Sequence, residues 1–247
     1  MPIWGLAACM AIGFIAGVIN TIAAGGSFLT LPLLLFLGLP TTAANGTNRV
    51  AVLFQNTSAL WGFHRGDVLE WSWGLRAAVP ACAGAAVGVT AALTIPDIAF
   101  RKLLAVAMLA MTLFTLIYRA VAAPRPEPIS PWHPGMVAGF FAMGVYGGFL
   151  QAGVGFLSLA LTSVAGIDLV RGNGIKSFVV LLLTLLSLAV FAGTGHIDWP
   201  AGLALGSGSA LGSVVGVRLA ILRGQRWLEY VVSIALVIFA VVLWVSA

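Results

Sequence analysis

The chain has 247 residues, of which 61% are hydrophobic and only 8% charged. A soluble domain carries about 25% charged residues, so this composition excludes one and points to an integral membrane protein. The net charge of +5 is spread over span ends rather than gathered into a patch. That pattern fits cytoplasmic loop placement and excludes a nucleic-acid surface.

The apolar runs are helical in length, and the alternating ten-residue segments of a membrane barrel are missing from the pattern. A first span is predicted at 3–22, with Gly13 and Gly17 four apart. No Lys or Arg precedes it, so it reads as a retained span rather than a signal peptide. Then Gly25-Gly26 interrupts the hydrophobic run, and the next apolar piece, Ser27 to Leu39, is short. Crossing a bilayer core of about 30 Å takes about 20 helical residues, so this piece cannot span comfortably. Further spans are predicted at 43–63, 74–95 and 100–121. The polar connection from His64 to Trp71 carries Arg65, Asp67 and Glu70, and Trp71 and Trp73 stand where interfacial aromatics belong.

Residues 122–134 hold five prolines and form an extended linker. Beyond it come a span at 135–150, a second short piece at 155–166, and spans at 170–193, 199–221 and 227–245. The second half repeats the first. Residues 25–88 align with 153–216 without a gap, with 18 identities in 64 positions. Gly25 pairs with Gly153, Phe28 with Phe156, Gly38 with Gly166, Asn45 with Asn173 and Trp71 with Trp199. So long a register marks an internal repeat. The chain thus divides into a first transmembrane repeat (1–121), the Pro-rich linker (122–134) and a second transmembrane repeat (135–247).

The fold expected is all-α and polytopic, with two homologous repeats, each with a short helix after a Gly-rich break. If the short pieces cross, there are ten membrane segments and the repeats are inverted. Nine cations then fall on one side (Arg65, Arg76, Arg119, Arg125, Arg171, Lys176, Arg218, Arg223, Arg226) and three on the other (Arg49, Arg101, Lys102). If they re-enter, there are eight segments, the repeats are parallel and the tally is eight against four. The positive-inside rule favours the inverted arrangement. Glycines at four-residue spacing (Gly84/Gly88, Gly144/Gly148, Gly212/Gly216) allow close helix approach. They predict tight packing within the bundle and are also compatible with a homodimer.

Paired broken segments at matching positions of two repeats are the best sequence pointer to a transport site. Glycines at 25, 26, 153 and 155 leave backbone N–H groups free at the start of a short helix, where an anion is favoured. Asn20, Thr21, Ser27 and Gln151 lie beside them. Arg49 and Lys176 lie several residues into apolar runs, next to Asn45, Asn48 and Asn173. Every Asp and Glu flanks a span or lies in the linker. Cations and amides without carboxylates suit an anionic solute and argue against a metal cation, which wants hard oxygen ligands. Gln55 and Asn56 share the helix face of Asn45, as interhelical glue or as ligand contacts. Cys9 and Cys82 read as buried small hydrophobes, no cofactor is expected, and the coupling ion is left open. A hydrolase would need a base beside Ser27, Ser158 or Ser177, and no His or Asp lies at that depth.

The stretch from Gly13 to Asn48, GFIAGVINTIAAGGSFLTLPLLLFLGLPTTAANGTN, resembles the glycine-rich first motif of the sulfite exporter TauE/SafE family. The stretch from Gly148 to Ser177 is similar to that family's second motif, and Gly193 to Ala220 to its closing segment. The resemblance implies a multi-pass permease of the cell (inner) membrane, built from two repeats and carrying sulfite or an organosulfonate such as sulfoacetate. The motif positions fall on Gly25, Gly26, Pro32, Asn45 and Asn48, then on Gly153, Gly155, Asn173 and Lys176. The second half departs at Val154 and Ala160, which stand where the first has Gly26 and Pro32.

Overall fold

The computed structural model describes residues 3–117 and 127–223. These form nine helices and, among the described residues, no strand. They are α1 (Ile3–Ala23), α2 (Ser27–Phe36), α3 (Thr41–Arg65), α4 (Trp71–Thr94), α5 (Asp97–Ile117), α6 (Pro134–Phe149), α7 (Val154–Val164), α8 (Leu169–Gly193) and α9 (Trp199–Arg223). The predicted span at 227–245 and the first part of the Pro-rich linker lie outside the described residues.

The two short pieces are helices of 10 and 11 residues. Both stop the same way. Gly38 (φ 89°) and Gly166 (φ 86°) turn left-handed after the last turn. The next N–H then reaches back, Leu39 to the Leu34 carbonyl at 3.1 Å and Ile167 to the Thr162 carbonyl at 3.0 Å. This is the glycine stop of a helix C-terminus, and the repeat alignment pairs those two glycines.

Four helices, α1, α4, α8 and α9, are long and apolar enough to cross a membrane. α3 equals α8 in length at 25 residues but carries Asn45, Asn48, Arg49, Gln55 and Asn56, all buried. Its polar side chains therefore face protein, the only place lipid tolerates them.

Packing crosses between the repeats. α1 lies along α9, and α4 along α6. A side chain at Gly13 would collide with the Leu205 backbone, one at Gly17 with Ser209, one at Gly208 with Met10 and one at Gly212 with Phe14. Residue numbers rise together along both helices, so the pair is parallel. The other pair repeats this, with Gly84 against Phe141, Gly88 against Val145, Gly144 against Ala81 and Gly148 against Ala85. The four-residue glycine stripes are thus covered inside one chain. α3 and α8 pack on each other between these two pairs, with α2 and α7 against them.

Replacing Gly212 or Gly84 by Leu forces a side chain into a neighbouring backbone. We expect a loss of at least about 1–3 kcal/mol, the ordinary cost of overpacking. Leu203→Ala on the exposed face of α9 should leave stability nearly unchanged. Thermal unfolding in detergent distinguishes them, and equal midpoints for the two classes would contradict the packing.

Candidate functional site

Each repeat breaks its first helix before the short one begins. α1 gives out at Ala23, and Ala24 turns left-handed (φ 68°). α6 gives out at Phe149, and Gln151 (φ 63°) and Gly153 (φ 75°) turn left-handed. A non-glycine residue in that region costs about 1–2 kcal/mol, so the surrounding contacts must hold Ala24 and Gln151 there.

A broken helix leaves its last carbonyls without intrahelical donors, and in a bilayer water does not reach them. Here the donors come from the other repeat. Lys176 on α8 donates from Nζ to the carbonyls of Asn20 (2.8 Å) and Thr21 (3.2 Å) at the end of α1. Asn173 donates from Nδ2 to the Ile22 carbonyl at 3.4 Å and accepts from Lys176 Nζ at 2.6 Å. Arg49 on α3 donates from Nη1 to the Gly147 carbonyl (3.2 Å) and from Nη2 to the Gly148 carbonyl (2.5 Å) at the end of α6. Asn45 donates from Nδ2 to the Phe149 carbonyl at 2.8 Å. Gly148 and Asn20 are equivalent at the offset of the repeat, as are Asn45 and Asn173. The two caps are therefore the same device applied crosswise, with a cation placed at the negative end of a helix dipole.

Between the breaks lies a small cavity with room for about one water molecule. Asn20, Ala24 and Ser27 line it from the first break, and Gln151, Gly153, Val154 and Gly155 from the second. Val52 and Asn56 of α3 and Lys176 and Val180 of α8 complete the wall. α2 and α7 both begin here, and their first bonds run from Phe28 N–H to the Gly25 carbonyl and from Phe156 N–H to the Gly153 carbonyl. Val154 N–H reaches the Gln151 carbonyl at 3.3 Å, and the N–H groups at a helix start have no carbonyl of their own helix to bond.

Arg49 and Lys176 are buried. The ion pairs among the described residues join Arg171 to Glu70 at 2.9 Å and to Asp168 at 3.4 Å, at the exposed ends of α4 and α8. Neither buried cation touches a carboxylate among them. Arg49 instead lies over the Phe191 ring, 4.9 Å from its centroid, and donates to Gln151 Oε1 at 2.6 Å. Gln151 in turn donates to Thr184 Oγ1 at 2.8 Å.

Of the residues singled out by sequence, Asn20, Ser27, Gln151, Gly153, Gly155 and Lys176 meet at the cavity. Thr21, Gly25, Gly26, Asn45, Asn48, Arg49 and Asn173 stand one layer behind it. Thr21 donates to Ser213 Oγ at 3.0 Å. Gly26 lets the break pass close to the Ala16 carbonyl. Asn48 accepts from Thr30 Oγ1 at 2.5 Å. The wall residue Asn56, which the sequence reads as interhelical glue or a ligand contact on the polar face of α3, lines the cavity. The wall residue Ala24 carries no sequence signal, because alanine gives no hint of a left-handed turn. Gln55 accepts from Asn20 Nδ2 at 2.9 Å and so fixes the rotamer of a wall residue.

Residues 9–243 match the family model described as Sulfite exporter TauE/SafE. The chain is 29% identical over 238 residues to a probable membrane transporter protein, ORF9, of Sinorhizobium sp, covering 94% of this chain and 91% of that protein. It is 29% identical over 231 residues to a probable membrane transporter protein of Haemophilus influenzae, covering 93% and 90%. The probable membrane transporter protein YfcA of Escherichia coli K12 is 24% identical over 224 residues, covering 90% and 83%. No solved structure matches the chain.

Arg49→Met removes the donors to Gly147, Gly148 and Gln151 at once, and Lys176→Met those to Asn20 and Thr21. We expect each to cost at least about 3 kcal/mol, since Arg49→Met strands the Gly147 and Gly148 carbonyls and Gln151 Oε1, and Lys176→Met the Thr21 carbonyl and Asn173 Oδ1, the Asn20 carbonyl keeping the Ala24 N–H. Arg171→Gln, which breaks only an exposed pair, should cost under about 1 kcal/mol. Unfolding midpoints in detergent test the ranking; a harmless Arg49→Met would show that the broken helix does not depend on this cap.

Proposed function

Because the chain belongs to the sulfite exporter TauE/SafE family of membrane transporters, we propose that it carries a small sulfur-containing anion across the cell (inner) membrane. Sulfite or an organosulfonate such as sulfoacetate is the solute class, and alternating access is the mechanism. The observation that carries this reading is the cavity between the two breaks. Two helix N-termini begin at it, a buried ammonium lines it, and among the described residues no carboxylate lines it. A negative charge there meets dipole ends and Lys176 together. Asn20, Ser27, Asn56 and Gln151 supply hydrogen bonds to its oxygens, and Gly153 and Gly155 let backbone N–H groups approach.

The packing supports an inverted arrangement of the two repeats. The α7–α8 connection lies beside the α3–α4 connection through Arg171 and Glu70, which puts both on one face, whereas parallel repeats would put them on opposite faces. α2 and α7 then point from the cavity toward opposite faces. Rocking one interlocked half against the other would expose the cavity to each face in turn. A cavity of about one water volume corresponds to a closed state, so a solute requires this motion to enter.

The test is a thermal-shift screen of purified protein against sulfite, sulfate, thiosulfate, taurine and sulfoacetate, each beside a matched carboxylate. A ligand at a hundred times its Kd adds about 2.7 kcal/mol. We expect a sulfur anion to give a shift of this order, Lys176→Met to abolish it, and the exposed Arg101→Gln to keep it. A shift unaffected by Lys176→Met, or given equally by the carboxylates, would refute the sulfur-anion site.

A further inference from the structure

Buried polar atoms in native proteins nearly always find a partner, and each failure costs about 1–3 kcal/mol. Among the described residues, five buried side-chain atoms have none: Asn45 Oδ1, Asn48 Nδ2, Arg49 Nε, Ser158 Oγ and Ser177 Oγ. They are not scattered. All five lie on α3, α7 and α8, and the remaining six helices contribute none.

Their positions continue the cavity in two directions. On α3 the wall residue Val52 shares a face with Asn48 and Asn45, one and two turns earlier and up to about 10 Å away at 1.5 Å per residue. α2 runs beside that face, and Thr30 bonds to Asn48. On α7 the wall residue Gly155 is followed one turn later by Ser158, and the seam closes where Thr162 Oγ1 approaches Gly172 of α8. On α8 the wall residue Lys176 packs against Gly155 of α7, and Ser177 is turned about 100° round the helix from it. In the repeat alignment Ser158 corresponds to Thr30, Lys176 to Asn48 and Ser177 to Arg49. Asn48 and Ser158 thus stand in the equivalent seam of each repeat, between the short helix and the long helix after it, while Asn45 and Arg49 reach to the end of α6.

The two seams lead opposite ways. The α2–α3 seam ends at Pro40, where α3 begins. The α7–α8 seam ends at Asp168, beside Glu70, where α3 has ended. The 25 residues of α3 separate these ends by about 37 Å.

We propose that the solute enters and leaves the cavity along these two seams, with Asn48 and Thr30 forming a transient oxyanion station on one side and Ser158 and Thr162 on the other. The orphan atom on each seam, Asn48 Nδ2 and Ser158 Oγ, can donate a hydrogen bond, which is what an oxyanion needs. This route rests on the permease reading and adds to it the path and its two stations.

The test is sided labelling. Thr30→Cys and Asn48→Cys mark one seam, and Ser158→Cys and Thr162→Cys the other. Thr30→Cys keeps the first seam testable if Asn48→Cys, which loses its Thr30 bond, fails to fold. A charged, membrane-impermeant maleimide is applied to vesicles of each orientation, with the wild-type chain and its two cysteines as the baseline. Leu203→Cys and Val87→Cys, on exposed apolar faces, serve as controls. The first pair should label from one face and the second from the opposite face. Labelling from the wrong face should be slower by roughly tenfold or more, as for a state populated at about 10% or less. Seam cysteines that label no faster than the controls, or both seams labelling from one face, would overturn the route. If wild-type vesicles still exchange a sulfur anion in that case, the permease reading stands and only the path falls. If labelling is two-sided but no sulfur anion binds, the path stands and the solute class falls.

Discussion

The structure depends on satisfying the carbonyls of two helices broken inside the membrane. Water cannot do it, and each unpaired carbonyl costs several kcal/mol in hydrocarbon. The chain does it with Lys176 and Asn173 at the end of α1, and with Arg49 and Asn45 at the end of α6. Each pair belongs to the other repeat. A single repeat would therefore carry an uncapped break and an unused cation. The same exchange is seen in the packing, where α1 lies along α9 and α6 along α4. The glycine stripes permit that contact, and the crosswise caps require it.

The caps also set the electrostatics of the centre. A buried cation is normally paired with a carboxylate, and a pair is close to neutral in its effect on a nearby solute. Here the partners are carbonyl dipoles, amide oxygens and the Phe191 ring. These stabilise the charge without cancelling it. α2 and α7 add their N-terminal dipole ends at the cavity. The means that hold the breaks together thus leave a positive potential where the breaks meet, so capping and anion attraction are one arrangement.

Much of this was legible in the sequence, and the limits have physical causes. The repeat register, the short helices and the depth of Arg49 and Lys176 follow from local pattern and hydropathy, while the first short piece, read to Leu39, stops at Phe36 before the left-handed Gly38. What each cation touches does not follow from that pattern. Arg49 reads as a cavity residue from its depth alone, yet its fork is taken by the Gly147 and Gly148 carbonyls one layer away and by the side chain of the wall residue Gln151. That outcome depends on α6 ending about a hundred residues later beside α3, which no local pattern encodes. Ala24 and Gln151 hide for a different reason. Their left-handed backbone is imposed by the surrounding contacts rather than by their own preference. Asn56 was legible, since it shares the polar face of α3.

The two caps are equivalent in position and unequal in chemistry. A guanidinium is a rigid planar fork, and Arg49 uses it on the Gly147 and Gly148 carbonyls behind the cavity and on the wall residue Gln151. An ammonium on a flexible stem is a movable point charge, and Lys176 holds its own at the cavity wall. Two identical caps would give a pseudo-symmetric transporter end states of equal energy. Unequal caps do not. On the alternating-access reading, the break held by Arg49 is the more rigid hinge and the break held by Lys176 the more yielding one. An anion that draws the ammonium toward itself weakens the hold on Asn20 and Thr21, and thereby on α1. The departures of the second repeat at Val154 and Ala160 point the same way, since they alter the short helix of one half only. On the alternating-access reading, the asymmetry that sequence comparison of the halves records as imperfect repetition gives solute binding a preferred place to act.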